Sequence, residues 1–127
     1  MKLSFIFSLF KLYTIMNFNK PYNFLKLLPK KLNLYLKKKS KFGVIVKNKS
    51  KSKKDFDPVT NIDKATEKFI RSLINKKFPN DSIIGEEFDD KFSSNNFQWS
   101  IDPIDGTRAF IIGAPTWSNL IGLSHNG

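Results

Sequence analysis

The sequence holds no cysteine among its 127 residues. That excludes a disulfide scaffold, a thiolate zinc site and cysteine catalysis together. The one histidine, His125, stands at the very end of the chain, which argues against a Ser-His-Asp triad or a His-rich metal cluster. Arginine is scarce, 2 residues against 20 lysines. Acid is missing altogether from residues 1–54, which hold 15 lysines. The apolar stretch near the N-terminus, Leu3–Phe10, is eight residues long, far short of the roughly 20 that span a bilayer. What remains for catalysis is carboxylates, hydroxyls, backbone dipoles and a metal ion held by oxygen.

A chain of this length makes one domain at most, and a 40% apolar share is enough to build a core. The net charge of +11 is uneven, because residues 55–127 carry 7 basic and 11 acidic residues. A basic arm on an acidic body suggests nucleic acid or anionic lipid as a partner. The other reading is compositional: abundant Lys, 13 Phe and 12 Asn are what an AT-rich coding sequence tends to write. Phosphate recognition usually recruits arginine as well, and composition is the preferred reading.

Residues 1–15 read as an upstream extension, with Met16 as the alternative start, since no small-x-small cleavage site follows the apolar stretch. Residues 16–56 read as a lysine-rich helical region and linker. Phe18, Tyr22, Leu25, Leu28, Leu32 and Leu36 recur near helical spacing, with Pro21 and Pro29 expected to break the helix into pieces. A β-branched run, Val44-Ile45-Val46, precedes a Lys-Ser linker, Lys47 to Lys54, expected to be an exposed loop.

The third region, residues 57–127, carries clearer signals. Thr60-Asn61-Ile62-Asp63 has the form of a capping box. Behind it Ile62, Ala65, Phe69, Ile70, Leu73, Ile74 and Phe78 follow a 3.6-residue period. Lys64, Glu67, Lys68, Arg71 and Lys76 are expected on the opposite, solvent face. Pro79-Asn80-Asp81 stops the helix. Ser82–Gly85 reads as a strand running into Glu86-Glu87, Asp89–Asn96 as a polar loop, Gln98–Ile101 as a strand ending at Asp102, and Trp117–Ser124 as a third strand. Asn126-Gly127 is a strong hairpin signal with no returning strand after it, so the chain is expected to be part of a longer protein.

The most informative run is Trp99-Ser-Ile-Asp-Pro-Ile-Asp-Gly-Thr107. Asp102 and Asp105 lie three apart at a strand end, with Pro103 helping to turn the chain. Two carboxylates 4 Å apart repel by roughly 4 kcal/mol at an effective dielectric near 20, so such a pair needs a proton or a cation. Oxygen ligands without His or Cys favour a hard ion such as Mg²⁺. Gly106 allows close backbone approach, and a short helix opening at Thr107 would offer N–H groups to an anion. A metal beside an anion-binding helix end suits phosphate-ester hydrolysis. Taken alone, the run is equally a surface turn, because Asp, Pro, Gly and Thr all form turns.

Two further segments shift that balance. Asp57-Pro-Val-Thr-x-x-Asp63, Gly85-Glu86-Glu87 and Trp99-x-Ile-Asp-Pro-Ile-Asp-Gly-Thr107, in this order, resemble the successive signatures of the inositol monophosphatase superfamily. The continuation Arg108–Trp117 resembles its histidinol-phosphatase branch. The resemblance implies an α/β fold, an α/β/α/β/α layered sandwich of which this chain carries the N-terminal half, with residues 57–127 as the metal- and phosphate-binding part. It implies Glu86, Asp102, the Ile104 carbonyl and Asp105 as metal ligands, and Asp63, Thr107 and Glu86 as the residues that activate the attacking water. The N–H groups of Gly106 and Thr107 would cradle the phosphate, and Glu87 would support from behind. The implied protein is a cytoplasmic Mg²⁺-dependent phosphomonoesterase with two or three ions when complete, homodimeric at full length, acting on a small phosphorylated substrate without nucleic acid or membrane. Histidinol phosphate is the expected substrate, in histidine biosynthesis; an inositol or other sugar phosphate is the alternative. The family's second half would add another metal-binding aspartate, so residues 1–127 alone are expected to bind Mg²⁺ weakly and to be inactive.

Three competing readings have their own discriminants. A haloacid-dehalogenase-type phosphatase separates its two acids by one residue, whereas Pro103-Ile104 makes two here; only that type would trap an aspartyl phosphate. A basic nucleic-acid-binding module would use the lysine-rich arm with Phe24 and Tyr35 for stacking, and would bind single strands in a salt-dependent way. An inactive remnant would show a stop codon directly after Gly127.

Overall fold

The structure is a computed structural model that describes residues 2–52 and 55–126. It divides into two compact units, Met1–Lys37 and Lys38–Gly127. The first unit is built from one helix, α1 (Lys2–Ser40), whose last turn belongs to the second. Pro21 and Pro29 lie inside it rather than breaking it as expected. Each proline costs about 3 kcal/mol in a helix interior. Phe24, Leu28 and Leu32, spaced by four along one face, are buried, and such burial, roughly 1.5–3 kcal/mol per side chain, is of the same order as the cost of the two prolines. Among the described residues no helix is long and apolar enough to cross a membrane.

The second unit opens with β1 (Val46–Asn48), paired antiparallel with β2 (Pro58–Thr60). The strand therefore starts at the end of the β-branched run, and Lys47 and Asn48 belong to it rather than to the linker. Partner bonds explain the shift. The Ile45 N–H donates to Asn61 Oδ1 at 2.8 Å, and its carbonyl accepts the Asn61 N–H at 3.0 Å. On the far side the Lys49 N–H donates to the Asp57 carbonyl at 2.7 Å, while Asn48 Oδ1 accepts from the Asp57 and Ser50 N–H groups. Lys53 and Lys54 of the expected linker lie outside the described residues.

Helix α2 (Asn61–Lys77) begins with the expected capping box: Thr60 accepts from the Asp63 N–H, and Asp63 accepts from the Thr60 N–H. Ile62, Ile70 and Ile74 are buried on its inner face. Glu67 departs from the expectation. It is fully buried, because Arg71 one turn on pairs with it at 2.8 Å and a backbone N–H from the next segment donates to it.

The sheet is β3 (Ser82–Gly85), β4 (Phe97–Asp105) and β5 (Ser118–His125), in that order, parallel then antiparallel. Trp99, wholly buried, anchors it: the indole N–H donates to Asp81 Oδ2 at 2.8 Å and the ring lies 5.3 Å from that of Phe78. β4 runs past the expected end at Asp102 to Asp105, carrying a bulge between those two residues. Between β4 and β5 sits the short helix α3 (Thr107–Ile111). Asn126 has positive φ, as the expected turn requires; its partner Gly127 lies outside the described residues.

Candidate active site

The end of β4, the start of α2 and the segment after β3 meet around Asp102. Gly106 closes β4 at φ 85°, a left-handed conformation open to glycine, and a Cβ there would stand 3.0 Å from the Thr116 carbonyl oxygen. The turn brings Thr107 back toward α2. Its hydroxyl lies 3.1 Å from Asp63 Oδ1 and 3.0 Å from the Ile104 carbonyl oxygen, two acceptors for one proton. Asp63 is buried, with its second oxygen fixed by the capping box. As the first residue of α3, Thr107 also has an N–H without a helical partner. The sequence-predicted pair Asp63–Thr107 is thus in contact, with Gly106 beside it.

The carboxylates are gathered less tightly. Asp102 is half-buried, and its Oδ1 is buried with no hydrogen-bond partner. Burial, then the charges of Glu86 and Asp105, push its carboxyl up to about 6. The Glu86 N–H donates to the Ile101 carbonyl at 3.2 Å, which holds Glu86 next to β4. Asp105 is exposed, with the Ser118 hydroxyl 3.5 Å from its Oδ2. Among the described residues no group of three or more acidic or imidazole side chains is drawn together closely enough to hold a metal ion. The donor set nonetheless fits a hard cation: it is all oxygen, it is mutually repelling, and one buried carboxylate oxygen lacks a donor.

A cation is already present in the form of Lys49. Its ammonium lies 2.9 Å from Glu86 Oε1 and also bonds Glu87. Burial works against that charge, but the hydrogen bonds to Glu87 and Glu86 hold the ammonium above the usual lysine range. Burial pushes the Glu87 carboxyl up, against the pull of Lys49. Beneath them the Glu87 N–H donates to Glu67 Oε2 at 2.7 Å. Sequence reasoning missed Lys49 and the inward role of Glu67. Nothing distinguishes Lys49 among 15 lysines, but Glu67 had a signal: Asp63, Glu67 and Arg71 repeat every four residues and so share one helix face, and the capping box turns Asp63 inward.

The inositol monophosphatase family matches residues 24–127. The chain belongs to that family. It is 50% identical over 76 residues to a histidinol-phosphatase of Chlorobaculum parvum, covering 60% of this chain and 29% of that protein. The SuhB extragenic suppressor protein of Bartonella henselae superposes with a TM-score of 0.69 at 23% identity, covering 81% of this chain and 41% of that one. An IMPase/NADP phosphatase solved with Mg²⁺ and phosphate gives a TM-score of 0.66 at 21% identity, covering 82% of this chain and 38% of that one. The α/β fold expected from sequence is therefore that of these proteins, and the chain spans well under half the length of each.

Proposed function

We propose that this chain supplies the metal- and phosphate-binding part of a Mg²⁺-dependent phosphomonoesterase whose substrate is histidinol phosphate. The observation that carries the reading is the buried, donorless Oδ1 of Asp102, flanked by the charges of Glu86 and Asp105 and next to the Asp63–Thr107 pair. Glu86, Asp102, Asp105 and the Ile104 carbonyl would hold the ion. Bound there, Mg²⁺ supplies positive charge that acidifies water and offsets the charge of the phosphoryl group. Thr107 takes the proton of the attacking water on its hydroxyl oxygen while passing its own proton to Asp63 Oδ1. The water oxygen bonds to phosphorus as the P–O bond to the alcohol breaks, and the leaving alkoxide takes a proton from solvent. Meanwhile the N–H groups of Gly106 and Thr107 donate to the phosphoryl oxygens and fix them. The 50% identity to a histidinol-phosphatase supports the substrate; a sugar phosphate is the competing class.

The test is phosphate release by the protein carrying this segment, with histidinol phosphate and inositol 1-phosphate offered in parallel with and without Mg²⁺. Mg²⁺-dependent release with higher kcat/KM for histidinol phosphate supports the reading. Preference for the inositol ester transfers it to the alternative, and release indifferent to chelation overturns it.

A further inference from the structure

Where β3 ends the chain leaves the sheet, yet each residue from Gly85 to Phe88 has a main-chain group held by a hydrogen bond. The Gly85 N–H donates to Asp90 Oδ1 at 3.3 Å, and the Glu86 N–H to the Ile101 carbonyl at 3.2 Å. The Glu87 N–H donates to Glu67 Oε2 at 2.7 Å, and Arg71 Nη2 donates to the Phe88 carbonyl at 3.1 Å. The last two come from a single ion pair, Arg71 Nε to Glu67 Oε1 at 2.8 Å, whose carboxylate is fully buried. Gly85 completes the fit, since a Cβ there would stand 2.0 Å from Glu67 Oε1, so only glycine admits the carboxylate to the backbone.

A buried ion pair is a poor source of stability, because apolar residues of similar volume often do as well or better. What this pair does that apolar residues would not is fix the two backbone groups that bracket Glu87, directly after Glu86. We infer that Glu67 and Arg71 are positioning residues that clamp the segment after β3 so that Glu86 is presented beside Asp102. The inference deepens the metal-binding reading above and rests on it for its consequence, though not for the clamp itself.

The full chain carrying Glu67→Leu with Arg71→Met removes both bonds while keeping apolar bulk. Two measurements are made: Mn²⁺ affinity, from the paramagnetic resonance of free ion, and amide hydrogen exchange at residues 86–88. The expected result is faster exchange at Glu87 and Mn²⁺ binding weakened about 10- to 100-fold, the range carried by outer partners of metal ligands. Glu67→Gln, which keeps an acceptor for the Glu87 N–H, should stay near wild type in both. Should the double variant fail to fold, Gly85→Ala displaces the Glu67 carboxylate and should reproduce both effects. Unchanged exchange at Glu87 overturns the clamp. Faster exchange with unchanged Mn²⁺ affinity overturns its positioning role. If the wild-type chain binds no Mn²⁺ at all, the metal-binding reading fails, while hydrogen exchange still decides the clamp.

Discussion

Two strand ends deliver carboxylates to the same place by different means. At the end of β4, Asp102 and Asp105 are aimed by their immediate neighbours: a proline, a bulge, a left-handed glycine and a threonine, all within six residues. At the end of β3, Glu86 and Glu87 are aimed by residues far away in sequence, Lys49 from beyond β1 and Glu67 and Arg71 from α2. The first arrangement is written locally and tolerates little local change. The second is assembled by tertiary contacts and can be adjusted one partner at a time.

The largest expected effect breaks the local half. Asp105→Asn keeps the shape of the side chain and removes one charge from a repelling group. Turnover in the protein carrying this segment should fall by more than the roughly hundredfold typical of a metal ligand's outer partners, while the melting temperature holds or rises. Near-normal turnover at saturating substrate would remove Asp105 from the ligand set. Thr107→Val comes next: with no hydroxyl to relay a proton, kcat should fall about a hundredfold with KM little changed, as read from steady-state kinetics.

The tertiary half should respond more gently. Lys49→Met removes the ammonium that competes for Glu86 and should tighten Mg²⁺ binding about tenfold, while the metal-free protein loses stability because Glu87 is left buried without its counter-charge. Calorimetric titration and thermal melts read the two opposite signs, and weaker Mg²⁺ binding would show that Lys49 assists the ion. At the shared foundation, Thr60→Ala removes the cap of α2 and should cost about 1 kcal/mol in denaturant unfolding.

The last effect is a pH slope. The Asp102 carboxyl rises from 3.8 unfolded to about 6 folded, so between those values the folded chain holds more protons than the unfolded one. Metal-free stability should therefore fall as pH rises from about 4 to about 6, and Asp102→Asn should flatten that slope. Mg²⁺ binding should strengthen over the same window, since it takes the ionised form.

This contrast also explains what could be read from sequence. The capping box, the period of α2, the strand before Asp102 and the helix opening at Thr107 depend on neighbours within a turn or two, and each is present in the structure. The prolines of α1 misled because their local cost is met by burial of a similar order that spacing alone does not weigh. Glu67 misled because charge on a helix ordinarily faces water, and its burial is made tolerable by Arg71 and by a segment twenty residues on. Lys49 was illegible, since a lysine on a loop gains meaning only from what it touches.

The bulge in β4 carries a last consequence. Along a regular strand, residues three apart point to opposite faces. Asp102 lies opposite Leu120 and Asp105 opposite Ser118, so β4 takes three steps where β5 takes two, and the added residue restores both aspartates to one side. The spacing between them is thus locked to the bulge by parity. Removing one residue between the aspartates would abolish either the bulge or the shared face, and adding one would turn the second carboxylate away. A one-residue insertion or deletion there should be harsher than any single substitution of Pro103 or Ile104.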